Sequence, residues 1–180
     1  MYKNKKNKKV KLRKLIISDA EFIGKNTKDK NITRYTFVVA PPFGLKETRK
    51  FIKKTQSDIQ KKKAYEFGVE LKETKELVGT INLFNINYKN KNAEIGIWMA
   101  KKYWGKGLAW EALSLMLQFG FFNLKLRRIQ ARVLHKNIFA KKLLKKTGFK
   151  LEGKLRKKTF FKNRWFDDLI YGILKEEYLN

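Results

Sequence analysis

The stretch Ile95-Gly96-Ile97-Trp98-Met99-Ala100-Lys101-Lys102-Tyr103-Trp104-Gly105-Lys106-Gly107-Leu108-Ala109, which runs on into an apolar segment, decides the fold. It reads as a buried strand, a short basic turn, two glycines and the first turn of a helix. A pyrophosphate site needs that order. Glycines let the backbone come close to phosphate oxygens, and the unpaired N–H groups and positive dipole end of the helix receive the negative charge. A nucleotide-type anion is therefore expected at Trp104, Gly105, Lys106, Gly107, Leu108 and Ala109.

Downstream, residues 107–123 form a helix that is apolar nearly all round, with Leu108, Leu113, Leu115, Met116, Leu117, Phe119, Phe121 and Phe122, so it belongs at the centre of the molecule. A strand at 127–134 follows. Asn137 then caps a short helix that stops at Gly148. Two strands at 150–161 and 165–174 complete the chain, linked by a turn at 162–163. Upstream, Val10 to Ile17 alternates basic and apolar residues like a half-buried strand, and Ser18 and Asp19 open a short helix. Pro41-Pro42-Phe43-Gly44 is a break before an amphipathic helix over 46–63. Strands at 64–71 and 77–87 make a hairpin that leads into the strand at 93–99. The pattern predicts a single α/β domain with a mixed sheet of about seven strands flanked by about four helices. Parallel pairing is expected where the Gly107 helix joins its two flanking strands. The domain spans 10–178, after a basic tail at 1–9.

The composition narrows the chemistry. With 180 residues, 43% of them hydrophobic, the chain can bury a sizeable core. It has no cysteine and one histidine, which excludes disulfides and thiolate metal sites and leaves little for a histidine-based one; no metal is expected. No apolar run is long enough to span a membrane, and the basic N-terminus lacks the apolar core of a signal peptide, so a cytoplasmic location is expected. Forty-four basic residues against sixteen acidic ones give a net charge of +28. Such a field draws polyanions such as RNA, although a lysine-rich genome would also raise the lysine count.

These residues resemble the GCN5-related N-acetyltransferase (GNAT) family, and within it the ribosomal-protein N-terminal acetyltransferases. That branch's acetyl-CoA motif, Y-W-G-x-G-x-A followed by E-A, stands here as Tyr103-Trp104-Gly105-Lys106-Gly107-Leu108-Ala109-Trp110-Glu111-Ala112. Ala93-Glu94-Ile95-Gly96-Ile97-Trp98 is similar to its A-E-I-G-Y-W strand. Asn137-Ile138-Phe139-Ala140 and Lys146-Thr147-Gly148-Phe149 are similar to its N-x-x-S/A and K-x-G-F signatures. Asn31 to Tyr35 and Asp168 to Tyr171 match weaker patterns.

The resemblance implies acetyl-CoA as cosubstrate, lying in a gap between two splayed parallel strands, here 93–99 and 127–134. It implies that backbone groups near Met99 bond the pantetheine amides, that Asn137 adjoins the cofactor as well as capping its helix, and that Glu94 is the base that deprotonates the acceptor amine, against a reading as an ordinary strand carboxylate. Many family members carry a tyrosine general acid where Leu144 stands, so this chain departs from them. The implied acceptor is a primary amine, first of all the N-terminal α-amino group of a ribosomal protein, with ribosome or RNA association through the basic surface and a monomer or homodimer as the assembly. A small-molecule amine, such as an amino sugar or antibiotic, and a non-catalytic RNA-binding module are the open alternatives.

Overall fold

The computed structural model describes residues 8–36, 44–161 and 163–179. Most of the basic tail, the Pro41-Pro42 break and residue 162 of the last turn lie outside them. The described elements are, in order, β1 (Val10–Arg13), α1 (Asp19–Asn26), α2 (Lys30–Thr36), α3 (Leu45–Gln60), β2 (Tyr65–Leu71), β3 (Leu77–Asn87), β4 (Asn92–Met99), α4 (Leu108–Gln118), β5 (Arg128–Leu134), α5 (Ile138–Lys146), β6 (Lys150–Phe161), β7 (Arg164–Leu174) and α6 (Lys175–Leu179). A 3-10 turn at Lys101–Tyr103 precedes α4, and a π turn at Phe119–Asn123 ends it.

The seven strands form one mixed sheet in the order β1-β2-β3-β4-β5-β7-β6. All neighbours are antiparallel except β4 and β5, which α4 joins as a parallel pair. α4 lies across one face of the sheet. Leu113, Met116 and Leu117 on it are fully buried against Ile81, Leu83 and Ile129. Each such side chain removed from water contributes about 1.5–3 kcal/mol before conformational entropy is charged against it. The Glu111 carboxylate accepts the backbone N–H groups of Lys9 (2.7 Å) and Val10 (3.3 Å), which ties β1 to this helix. The opposite face is covered by Leu15 of the segment after β1 and by α1, α2 and α3 through Ile23, Ile32 and Ile52, which pack with Leu77 and Trp98.

Two local departures from the sequence reading have clear causes. β1 ends at Arg13 rather than Ile17, because Asp19 accepts the Ile16 N–H (2.8 Å) and both terminal nitrogens of Arg13 (2.7 and 2.8 Å), which pulls the chain out of the strand. That carboxylate, rather than the Ser18 hydroxyl, organises the start of α1. The short helix α2 is additional. Asp29 accepts the Asn31 N–H at its start (2.8 Å), and Ile32 buries against the sheet.

Candidate active site

β4 and β5 pair only through Asn92↔Arg128, Ala93↔Ile129 and Glu94↔Gln130. Beyond that point they splay, while each keeps its ladder to the neighbour on its other side as far as Met99 and Leu134. Ala100 N–H donates to the Val78 carbonyl (2.9 Å), and peptide groups alternate along a strand. That alternation turns the peptide groups of Ile95, Ile97 and Met99 away from β3 and toward the gap. Buried peptide groups need partners, so the gap is a ready set of donors and acceptors for a ligand carrying amides. The Met99 carbonyl is already engaged by the Trp104 indole N–H at 2.7 Å. The open groups on β4 therefore run from the Ile95 carbonyl through the Ile97 peptide groups to the Met99 N–H.

The gap opens into a cleft lined by Ile95, Gly96 and Ile97 from β4, Ala131 to Leu134 from β5, and Asn137, Ala140, Leu143 and Leu144 from α5. Tyr35, Phe84, Glu94, Leu113 and Asp168 complete its wall. At its mouth, the ring of Trp104 stands 6.1 Å from that of Phe139 across the space between the glycine turn and α5. Phe139 is 71% exposed, with Trp104 as its aromatic neighbour. The sequence marks Phe139 only as part of a signature, whereas its exposure on the first turn of α5 is a fact of the fold.

The glycine turn has the required backbone. Gly105 and Gly107 take φ of +75° and +78°, and a Cβ at either would meet nothing within 4 Å. Their role is thus conformational, and it leaves clear space in front of the turn. Gly107 is the N-cap of α4, with no side chain capping the first turn. Glu111 N–H is the first to bond back, to the Gly107 carbonyl at 3.2 Å. The N–H groups ahead of it point out of the helix end, toward the space the glycines keep clear. The ammonium of Lys106 lies 5.6 Å from the Tyr103 ring centroid, beside the same turn. Free donors, a helix dipole and open space fit a pyrophosphate, and the gap beyond fits an amide-bearing arm.

Asn137 caps α5: its Oδ1 accepts the Ala140 N–H at 3.1 Å while the residue lines the cleft. Leu144 is buried in the cleft wall, so no hydroxyl stands at that position. Tyr171 is 1% exposed and packs in the α4-side core rather than the cleft. His135 bonds the Asp167 carbonyl through its backbone N–H (3.0 Å), with Nδ1 3.3 Å from the same oxygen.

The face of the sheet opposite α4 carries the cleft's charge. Glu94 accepts a hydrogen bond from Asn85 Nδ2 (3.0 Å) and has no cation within ion-pair distance among the described residues. Asp168, nearly fully buried, accepts the Thr159 hydroxyl at 2.8 and 3.0 Å and lies 3.7 Å from the Arg132 guanidinium. Farther along the same face, Glu66 is buried beside Asn82, whose Nδ2 donates to it at 2.6 Å. Burial pushes its carboxyl up to about 7, against the opposing hydrogen bonds from Thr80 and Asn82. Sequence reasoning missed Glu66, because Tyr65-Glu66-Phe67 resembles a strand with one wet face, whereas helices cover both. No group of three or more His, Cys, Asp or Glu residues able to hold a metal ion occurs among the described residues.

The comparisons with known proteins agree with this geometry. The family model "Acetyltransferase (GNAT) domain" matches residues 9–150. The chain is 34% identical over 167 residues, 93% of each sequence, to the uncharacterised N-acetyltransferase p20 of Bacillus licheniformis. The crystal structure of spermidine N-acetyltransferase from Vibrio cholerae, in complex with CoA and spermine, superposes with a TM-score of 0.85 at 31% identity, covering 97% of this chain and 100% of that one. YdaF of Bacillus subtilis, provisionally named a ribosomal N-acetyltransferase, is 32% identical over 102 residues, 57% of this chain and 56% of its own. A splayed parallel strand pair, a left-handed glycine turn at a helix start and these relatives lead to one conclusion: the chain belongs to the GNAT acetyltransferase family and is an N-acetyltransferase.

Proposed function

We propose that this protein acetylates the α-amino group at a protein N-terminus, with ribosomal proteins as the substrate class. Acetyl-CoA supplies the activated acetyl group. The amides at Gly105 to Ala109 and the side chain of Lys106 hold its phosphates, the peptide groups of Ile97 and the Met99 N–H take its amide-bearing arm, and Trp104, Phe139 and Asn137 wall the channel. Glu94 is the group that receives the proton of the acceptor ammonium, directly or through one water. Asn85 orients it by occupying one oxygen, and no described cation competes for its charge. With Leu144 in place of a hydroxyl, the departing side of the reaction relies on water for its proton.

One observation carries the choice of acceptor: the cleft holds a single uncommitted carboxylate. All sixteen acidic residues are placed, and only Glu94 and Asp168 line the cleft. Asp168 is already engaged by Arg132 and Thr159. A single free carboxylate suits one ammonium attached to an uncharged chain. A polyamine needs several anionic partners, and a +28 surface opposes its approach.

The whole-length similarity to the Vibrio cholerae spermidine enzyme favours a second reading, in which the acceptor is a polyamine. The deciding experiment is a comparison of kcat/KM for short peptides with free N-termini against spermidine and spermine, at one ionic strength. Higher values for peptides carry the proposal, and higher values for spermidine replace it with the second reading.

A further inference from the structure

β6 is an edge strand, and its hairpin with β7 runs past Leu134↔Asp168, the last pair that β7 makes with β5. The pairing of β6 with β7 jumps from Leu155↔Asp168 to Thr159↔Phe166, so Arg156, Lys157 and Lys158 together stand opposite Asp167. This bulge is a built feature. Lys157 takes φ of +47°, and its N–H donates to the Asp167 carboxylate at 2.8 Å. The carboxylate's other oxygen pairs with Lys154 at 2.8 Å. The side chains of Arg156, Lys157, Lys158 and Arg164 have no carboxylate within ion-pair distance among the described residues, and all four are exposed. One step toward the tip, Phe160 and Trp165 face each other across the strands with ring centroids 4.9 Å apart, 56% and 59% exposed. β7 is regular here, so its pleat turns Trp165 to the face opposite the cleft residue Asp168.

We propose that this hairpin end is a binding surface for single-stranded RNA, its phosphates held by the bulge cations and its bases stacked on Phe160 and Trp165. Cations alone would serve any polyanion. Two exposed rings beside three looped-out cations match the pairing of charge and π-surface by which single strands are held without sequence preference. A duplex keeps its bases stacked and offers the rings nothing. The inference does not depend on which amine the cleft acetylates.

The test is fluorescence anisotropy of the full-length protein with a labelled oligouridine, over a range of salt concentrations. A duplex of equal length and heparin serve as competitors. Phe160→Ala/Trp165→Ala is expected to weaken oligouridine binding by about 5- to 150-fold, the usual worth of one stacked base, with the salt slope unchanged. Lys157→Gln/Lys158→Gln is expected to flatten the slope by roughly 1 to 1.5, for two lost phosphate contacts. Matching melting temperatures verify that both variants fold. Wild-type affinity in the aromatic variant would overturn the proposal and leave only the general field of the surface. So would duplex or heparin displacing the oligouridine as well as an unlabelled single strand does. Sedimentation showing a dimer that the aromatic substitutions dissociate and RNA does not would assign the rings to a second copy of the chain instead.

Discussion

Replacing Glu66 by Gln should make the protein more stable above neutral pH and change little in mild acid. The side chain is buried beside Asn82 and Thr80, and its carboxyl is raised from 4.5 to about 7. Between those two values the folded chain holds a proton that the unfolded chain has released, so wild-type stability falls as pH rises through this window and levels off above it. At about 1.4 kcal/mol per pH unit, the full loss is on the order of 3 kcal/mol. For a chain of this length that corresponds to a melting-temperature change of roughly 8 °C. Glutamine is neutral throughout and keeps an oxygen for the Asn82 Nδ2–H bond. Any packing or hydrogen-bond difference it introduces is independent of pH and cancels when two pH values are compared. The assay is thermal or urea unfolding of both proteins near pH 5 and near pH 8. The stability of Glu66→Gln relative to wild type is expected to rise by roughly 2–3 kcal/mol between them. A difference that stays constant across pH would refute the reasoning and show that Glu66 is ionised in the folded protein.

Three further substitutions address the cleft. Gly107→Val forces a β-branched residue into φ of +78°, where even an unbranched side chain costs about 1–2 kcal/mol; acetyl-CoA affinity measured by calorimetry should fall at least about tenfold, and unchanged affinity would remove the turn from the phosphate site. Glu94→Gln should lower kcat by roughly a hundredfold or more while leaving acetyl-CoA affinity intact. Wild-type kcat across the neutral range would mean the proton goes elsewhere. Asn137→Ala removes the cap bond to Ala140 and should cost about 1 kcal/mol of stability in a chemical denaturation curve; no loss would show that α5 is held by packing alone.

The part of the molecule legible in the sequence is the part where local chemistry and tertiary role coincide. Gly105 and Gly107 are needed by their own backbone angles, Asn137 caps its own helix, and the apolar girth of α4 announces a buried helix joining parallel strands. The order of the last strands was not legible. The last two strands are evident from the turn between them, but the insertion of β7 between β5 and β6 is decided by which strand's apolar face, with Tyr171 and Ile173, completes the α4 core. The α2 helix was hidden because Lys30-Asn31-Ile32-Thr33-Arg34-Tyr35-Thr36 has weak helix propensity and is held by Asp29 and the burial of Ile32. Within the site, Glu94 could be named from its neighbours in sequence. Asp168, Arg132 and Phe84 reach the same cleft from three different strands, and only the register brings them together. The Trp104 contact to the Met99 carbonyl likewise depends on a turn geometry that spacing does not reveal.

The central step is transfer of an acetyl group to an amine in the cleft between β4 and β5. The most direct measurement gives the purified full-length protein acetyl-CoA labelled in its acetyl group, together with a panel of N-terminal peptides and polyamines, and reads each acceptor by intact mass. The expected result is label on the amine of at least one acceptor at a rate far above the enzyme-free control, and slower labelling in Gly107→Val and Glu94→Gln. Absence of labelled product from every acceptor, with acetyl-CoA nonetheless bound, would contradict the catalytic reading and leave a binding module built on the fold.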